Sequence, residues 1–173
     1  MPRASRKFET EEELYDFALK ALMRRGHSVF EMRKALERRA DDKALVRRVL
    51  DQLKEQNYLD DARYAMQFVR QRSENRRQGR HRIARELRAR GVPDRHIDAA
   101  LGEVLSGVDA AAQVRARIER KLRSLRAPFD ETKLASLYGA LLRAGFESDT
   151  IRRELRAITK QQVDTETLSE DLQ

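Results

Sequence analysis

Cysteine is absent from this chain, which removes disulfides, thiolate nucleophiles and thiolate metal ligands at once. Only 3 Pro and 7 Gly punctuate 173 residues, so long helices joined by short connections are expected. No run of 18 apolar residues occurs, which excludes a membrane-spanning helix on hydropathy. The opening residues Met1–Glu13 carry no apolar segment of the secretory kind, and a cytoplasmic location is expected. Histidine is equally sparse: His27, His81 and His96 fall in different turns or helices, so no metal or catalytic cluster is expected. A Gly-rich phosphate loop is also missing, and the reading is of a non-enzyme without cofactor or metal.

What the chain has instead is charge and repetition. Charged residues make up 38%, and 37 Lys and Arg against 29 Asp and Glu leave a net charge of +8, an excess that favours acidic partners such as nucleic acid. A five-point pattern recurs three times: Met32, Leu36, Ala40, Val46, Leu50; Ile83, Leu87, Gly91, Ile97, Leu101; Leu137, Leu141, Gly145, Ile151, Leu155. Pairs four apart share one helix face, and the small residue between the pairs permits a tight turn, so each copy reads as helix, turn, helix. A unit of this size closes no core alone and leans on its neighbours.

Capping signals complete each repeat. Thr10 with Glu13 and Ser28 with Glu31 form capping-box patterns; Asp41 or Asp42, Asp60 and Asp109 offer further N-caps, and Asp130 follows Pro128 before a late helix. Asn57 suits a left-handed helix end. The expected fold is all-α: three tandem three-helix repeats forming an elongated, curved array. A basic N-terminus spans 1–9, repeats 10–58, 59–107 and 108–158, and a polar acidic tail 159–173. Asp60 and Asp61 read as helix-capping carboxylates rather than as acid–base or metal chemistry.

The run Tyr58-Leu59-Asp60-Asp61-Ala62-Arg63-Tyr64-Ala65, then Gly79, Arg82, Ile83, Glu86, Leu87, Gly91 and Val92, resembles the signature of the RecX regulatory proteins. Lys133, Leu134, Leu141, Gly145 and Phe146 are similar to that family's third repeat, and the likeness covers about residues 12 to 158. Two departures stand out: Asn57 where the family usually has Gly, and Ala40 in place of the Gly of the other copies. The resemblance implies a modulator that binds the RecA recombinase filament, restrains its recombinase and coprotease activities, and is able to contact DNA; a monomer is expected.

Charge indicates where binding is expected. From Arg63 to His96 there are 11 Arg against three acids, a local balance of +8. Arg82, Arg85 and Arg88 are expected opposite Ile83 and Leu87 on their helix, with Arg76, Arg77 and Arg80 in or near the preceding loop. These six are the candidate partner- or DNA-binding residues, since guanidinium groups take phosphates and carboxylates bidentately. A second basic stretch, Arg115, Arg117, Arg120, Lys121, Arg123 and Arg126, reads more readily as stems laid over a core edge with their heads in water. The alternative function is an autonomous, largely non-specific binder of single- or double-stranded DNA through a helix-turn-helix-like pair, residues 79–90 with 94–105.

Overall fold

The capping residues decide where each helix begins. In a computed structural model that describes residues 7–75, 77–124 and 131–158, the helices are α1 Glu11–Arg24, α2 Val29–Glu37, α3 Lys43–Glu55, α4 Asp61–Glu74, α5 Arg80–Ala89, α6 Asp94–Leu105, α7 Ala110–Arg123, α8 Glu131–Arg143 and α9 over 148–158. No strand occurs among the described residues; the fold is all-α. Thr10 accepts from the Glu13 N–H, Ser28 and Glu31 close a complete capping box, and Asp42 and Asp109 accept from Ala44 and Ala112. Each such cap contributes about 0.5–2 kcal/mol to its helix. Asp41, the other candidate at that start, instead pairs with Lys7 at 2.7 Å. Leu125, Arg126, Pro128, Asp130 and the acidic tail lie outside the described residues. No helix among those described is long and apolar enough to cross a membrane.

Two compact units divide the chain, one drawing on Met1–Arg70 with Ala84–Val104 and the other on Gln71–Ile83 with Leu105–Gln173. The division falls within α4 and α5, inside the expected middle repeat. In the first unit Leu14, Ala18, Met32, Leu36, Val49 and Leu53 are fully buried in one cluster. In the second, Val114, Ile118, Leu141, Phe146 and Ile151 form another, with Leu137 and Ala144 at its edge. Of the repeated apolar positions, all are buried except Leu155, which is half-buried. The burial of one large aliphatic side chain is worth about 1.5–3 kcal/mol, so the pattern marks the main source of stability.

The small residue in each copy has a second task. Gly91 and Gly145 adopt φ of 69° and 92°, and Asn57 takes 59°. After each of the three the chain closes a bond five residues back: Tyr58 N–H to the Leu53 carbonyl at 2.8 Å, Val92 to Leu87 at 3.2 Å, and Phe146 to Leu141 at 3.3 Å. This is the Schellman helix end, which requires a left-handed residue. Ala40 avoids that requirement. Its N–H and that of Arg39 both return to the Leu36 carbonyl, at 2.9 and 2.7 Å, and the turn closes without positive φ.

Just before that position a carbonyl faces outward and is taken by the element before it in the chain. The Arg39 carbonyl accepts from the Phe8 N–H at 2.7 Å, the Arg90 carbonyl from the Ser28 hydroxyl at 2.5 Å, and the Ala144 carbonyl from the Gly79 N–H at 2.9 Å. Ser28 and Gly79 occupy the same place in their repeats, four residues before Met32 and Ile83. One joint is therefore used within each unit, with the start of one helix seated on the end of another. Two cations follow the same register: Arg39 lies 5.0 Å from the Phe17 ring centroid and Arg90 4.8 Å from that of Phe68.

The joints are tight enough to exclude side chains. A Cβ on Gly91 would stand 2.4 Å from Phe30, and one on Gly79 only 2.2 Å from the Gly145 carbonyl oxygen. One on Gly145 would meet the Arg82 backbone nitrogen at 2.5 Å. Gly145→Ala is expected to cost about 2–3 kcal/mol, combining left-handed strain with overlap. Gly102→Ala, in open space inside α6, is expected to gain about 0.5–1 kcal/mol. Urea unfolding of both variants measures the difference; equal stabilities would contradict the joint.

Candidate functional site

The residues from Tyr58 to Ala65 invite a functional reading, but their contacts are architectural. Leu59 and Ala65 are buried at 3% and 0% exposure, which anchors the start of α4 in the core. Asp60 caps α4 by accepting from the Ala62 and Arg63 N–H groups at 2.8 and 3.1 Å. Asp61 reaches beyond its own helix and accepts from the Val29 N–H at 2.9 Å, so it serves the start of α2. Arg63 donates to the Asn57 carbonyl and ties down the left-handed turn before it. Tyr64 donates its hydroxyl to Glu31 at 3.2 Å.

Glu31 is the centre of this bracket. It also accepts from the Ser28 N–H and from Arg25, each at 3.2 Å, with Arg90 at 3.9 Å. Burial acts to raise its pKa, but the hydrogen bonds from Arg25, Ser28 and Tyr64 together outweigh it and hold the carboxyl below its ordinary value. His27 beside it is half-buried, and burial, reinforced by Arg25, lowers its pKa. Among the described residues no three His, Asp or Glu side chains come together as a metal site.

The six candidate arginines do not share one environment. Arg76 lies outside the described residues. In the second unit, Arg77 is exposed and takes φ of 46°, a left-handed arginine whose carbonyl accepts from Arg117 at 2.7 Å. Arg80 opens α5 and is exposed. Arg82 corrects the helical-wheel expectation: it is half-buried, with its backbone pressed on Gly145 and its guanidinium 3.5 Å from the Arg143 carbonyl. The joint pulls it inward, which a wheel drawn from one helix cannot include. In the first unit Arg85 and Arg88 are exposed as expected, but Arg88 is held at 2.6 Å by Asp94. Arg80 and Arg85 therefore best fit the expectation of outward charge.

Comparison with known proteins fixes the family. The family described as "RecX, second three-helix domain" matches residues 60–101, the span from the cap of α4 into α6. The regulatory protein RecX of Halorhodospira halophila is 42% identical over 141 residues, covering 82% of this chain and 85% of that one. This chain belongs to the RecX family. The RecX of Chlorobium phaeobacteroides is 31% identical over 148 residues, covering 86% and 95% of the two chains. The crystal structure of RecX from Lactobacillus salivarius superposes with a TM-score of 0.75 at 18% identity, covering 86% of this chain and 96% of that one, and so shares the fold. The RecX relatives are named regulatory proteins.

Asp61 and Glu31 have roles that the sequence disclosed only in part, as helix-start residues, because each also works across helices. Glu31→Gln removes the charge from the bracket, and wild type is expected to be more stable at neutral pH by about 1–3 kcal/mol. The folded pKa of Glu31 lies below the ordinary 4.5, so its charge-dependent contribution is complete above that value and disappears as pH falls through the lowered one. Denaturant titrations of both proteins from neutrality downward should therefore converge below pH 4.5; a pH-independent gap would contradict the assignment.

Proposed function

We propose that this protein regulates the RecA recombinase by docking on its nucleoprotein filament and restraining recombinase and coprotease activity. The observation that carries the reading is membership of a family of regulatory proteins over more than four-fifths of the chain. Three physical features support it. The signature residues are occupied in holding α2 and α4, which leaves outward-facing residues for recognition. Exposed Arg80 and Arg85 on α5 supply charge for acidic groups on a partner. Repetition of one joint offers several similar docking elements to a partner that is itself repetitive.

Any effect on nucleotide hydrolysis is exerted through the partner, whose own site holds the nucleotide. Binding alone is then sufficient for regulation, provided that it favours one filament state over another. The protein works in the cytoplasm and acts as a monomer.

Arg80→Glu combined with Arg85→Glu is expected to leave helicity unchanged and to raise the concentration needed to inhibit RecA strand exchange by about tenfold, corresponding to about 1.4 kcal/mol. Circular dichroism and a strand-exchange titration measure both. Unaltered inhibition would remove these arginines from the mechanism, and no inhibition by wild type would remove the function.

A further inference from the structure

Two large apolar side chains of the first unit stand far out in solvent and line the same groove. Met23 is 86% exposed and Tyr58 52%, although Tyr58 opens the family signature. The groove, of about 900 Å³, runs between α1 and the start of α4. Leu19, Leu22 and Met23, at spacings of three and four, form one ridge of α1, and Tyr64 and Gln67 of α4 belong to the facing wall. A lone exposed apolar residue is ordinary, whereas several gathered in one concavity mark a surface that a partner covers. The volume is that of a pocket that buries a drug-sized ligand, about 300–1,000 Å³, so a few anchor side chains fill it.

In a chain of net charge +8 this groove is neutral. Asp60 and Arg63 are the charged side chains among its described lining residues, opposite in sign, and the fold already uses both. Asp60 accepts from the Ala62 and Arg63 N–H groups, and Arg63 donates to the Asn57 carbonyl. His27 at the edge is uncharged at neutral pH, because burial and then Arg25 lower its pKa. A phosphate chain needs cations in place of its counterions, and an acidic peptide needs them too, so neither is matched here. What matches is an uncharged apolar face, with the exposed amides of Asn57 and Gln67 as a polar rim. Among the described residues there is no sheet edge to which an extended segment could add. A ridge at spacings of three and four packs instead against the ridges of another helix, the geometry of helix-in-groove recognition.

We propose that the α1–α4 groove seats an amphipathic helix of the recombinase, whose apolar anchors cover Met23 and Tyr58 without an ion pair. The inference rests on the reading of the chain as a RecA regulator and adds to it a contact that charge does not drive. Met23 suits the task, since its unbranched thioether adapts its shape to the anchor it meets. Tyr58 brings a rigid ring that loses little conformational freedom when covered.

The test titrates the full chain onto RecA filaments assembled on single-stranded DNA, and onto the same DNA alone, over a salt series. The variants are Met23→Ser with Tyr58→Ser, and Met23→Leu with Tyr58→Phe, which keeps the apolar surface. With helicity unchanged by circular dichroism, the serine pair should bind filament about tenfold more weakly, and the conservative pair should restore most of the loss. The ratio of wild type to serine pair should stay constant across the salt series, because no charge has been removed; a ratio that collapses at high salt would overturn the proposal. Because the chain has no cysteine, Met23→Cys carries a single environment-sensitive fluorophore, whose emission should shift to the blue on filament and stay unchanged on DNA. Wild type held no better by filament than by DNA would remove the RecA reading and this contact together. Wild type that binds filament beside a serine pair that binds equally well, or an unshifted fluorophore, would overturn the groove alone. A dimer of the free chain that the serine pair abolishes would assign the groove to a second copy and overturn it likewise.

Discussion

A single backbone carbonyl, the one just before the small residue of each repeat, organises this molecule. A helix end leaves carbonyls without intrahelical partners, and here one of them is supplied by the start of another element. The bond is worth only about 1 kcal/mol in net terms. Its importance is geometric, because it brings two backbones so close that Gly79 and Gly145 leave no room for a Cβ between them. On the helices that meet at these joints, Met32, Leu36, Ile83 and Leu87 are fully buried. Where the series begins, Phe8 supplies the donor, so the first repeat is finished by the segment before α1.

Because the joint absorbs so many family residues, conspicuous motifs prove to be poor guides to function. Asp60 and Asp61 look like a chemical pair and are two caps on two different helices. Gly79, Gly91 and Gly145 mark close approach, and Tyr64 and Arg63 secure a carboxylate and a turn. The arginines proposed to meet partners carry no motif of their own. Their usefulness depends on whether a neighbouring acid or a joint has already taken them, as Asp94 takes Arg88 and Gly145 draws in Arg82.

The helices were legible in the sequence because local rules set them. Periodicity four named the buried faces, and Thr10, Ser28, Asp60 and Asp109 named the starts. Asn57 was readable as a left-handed residue for the same reason. What the sequence concealed arises between helices. Nothing local tells that Asp61 caps α2 rather than only its own helix, or that Arg82 turns inward. The choice between Asp41 and Asp42 was open in the sequence; Asp42 caps α3, and Asp41 pairs with Lys7 at the surface. The α1 ridge was present as spacing at Leu19, Leu22 and Met23, yet only the position of α4 turns that spacing into a groove.

The proposed regulation of a recombinase is a matter of differential binding: it requires that the chain prefer the assembled filament to its parts. Co-sedimentation of the purified chain with RecA filaments assembled on single-stranded DNA, compared with free recombinase and with DNA alone at the same salt, measures that preference directly. The account requires tighter binding to filament than to either component. Equal retention by naked DNA, with no gain from the recombinase, would contradict it.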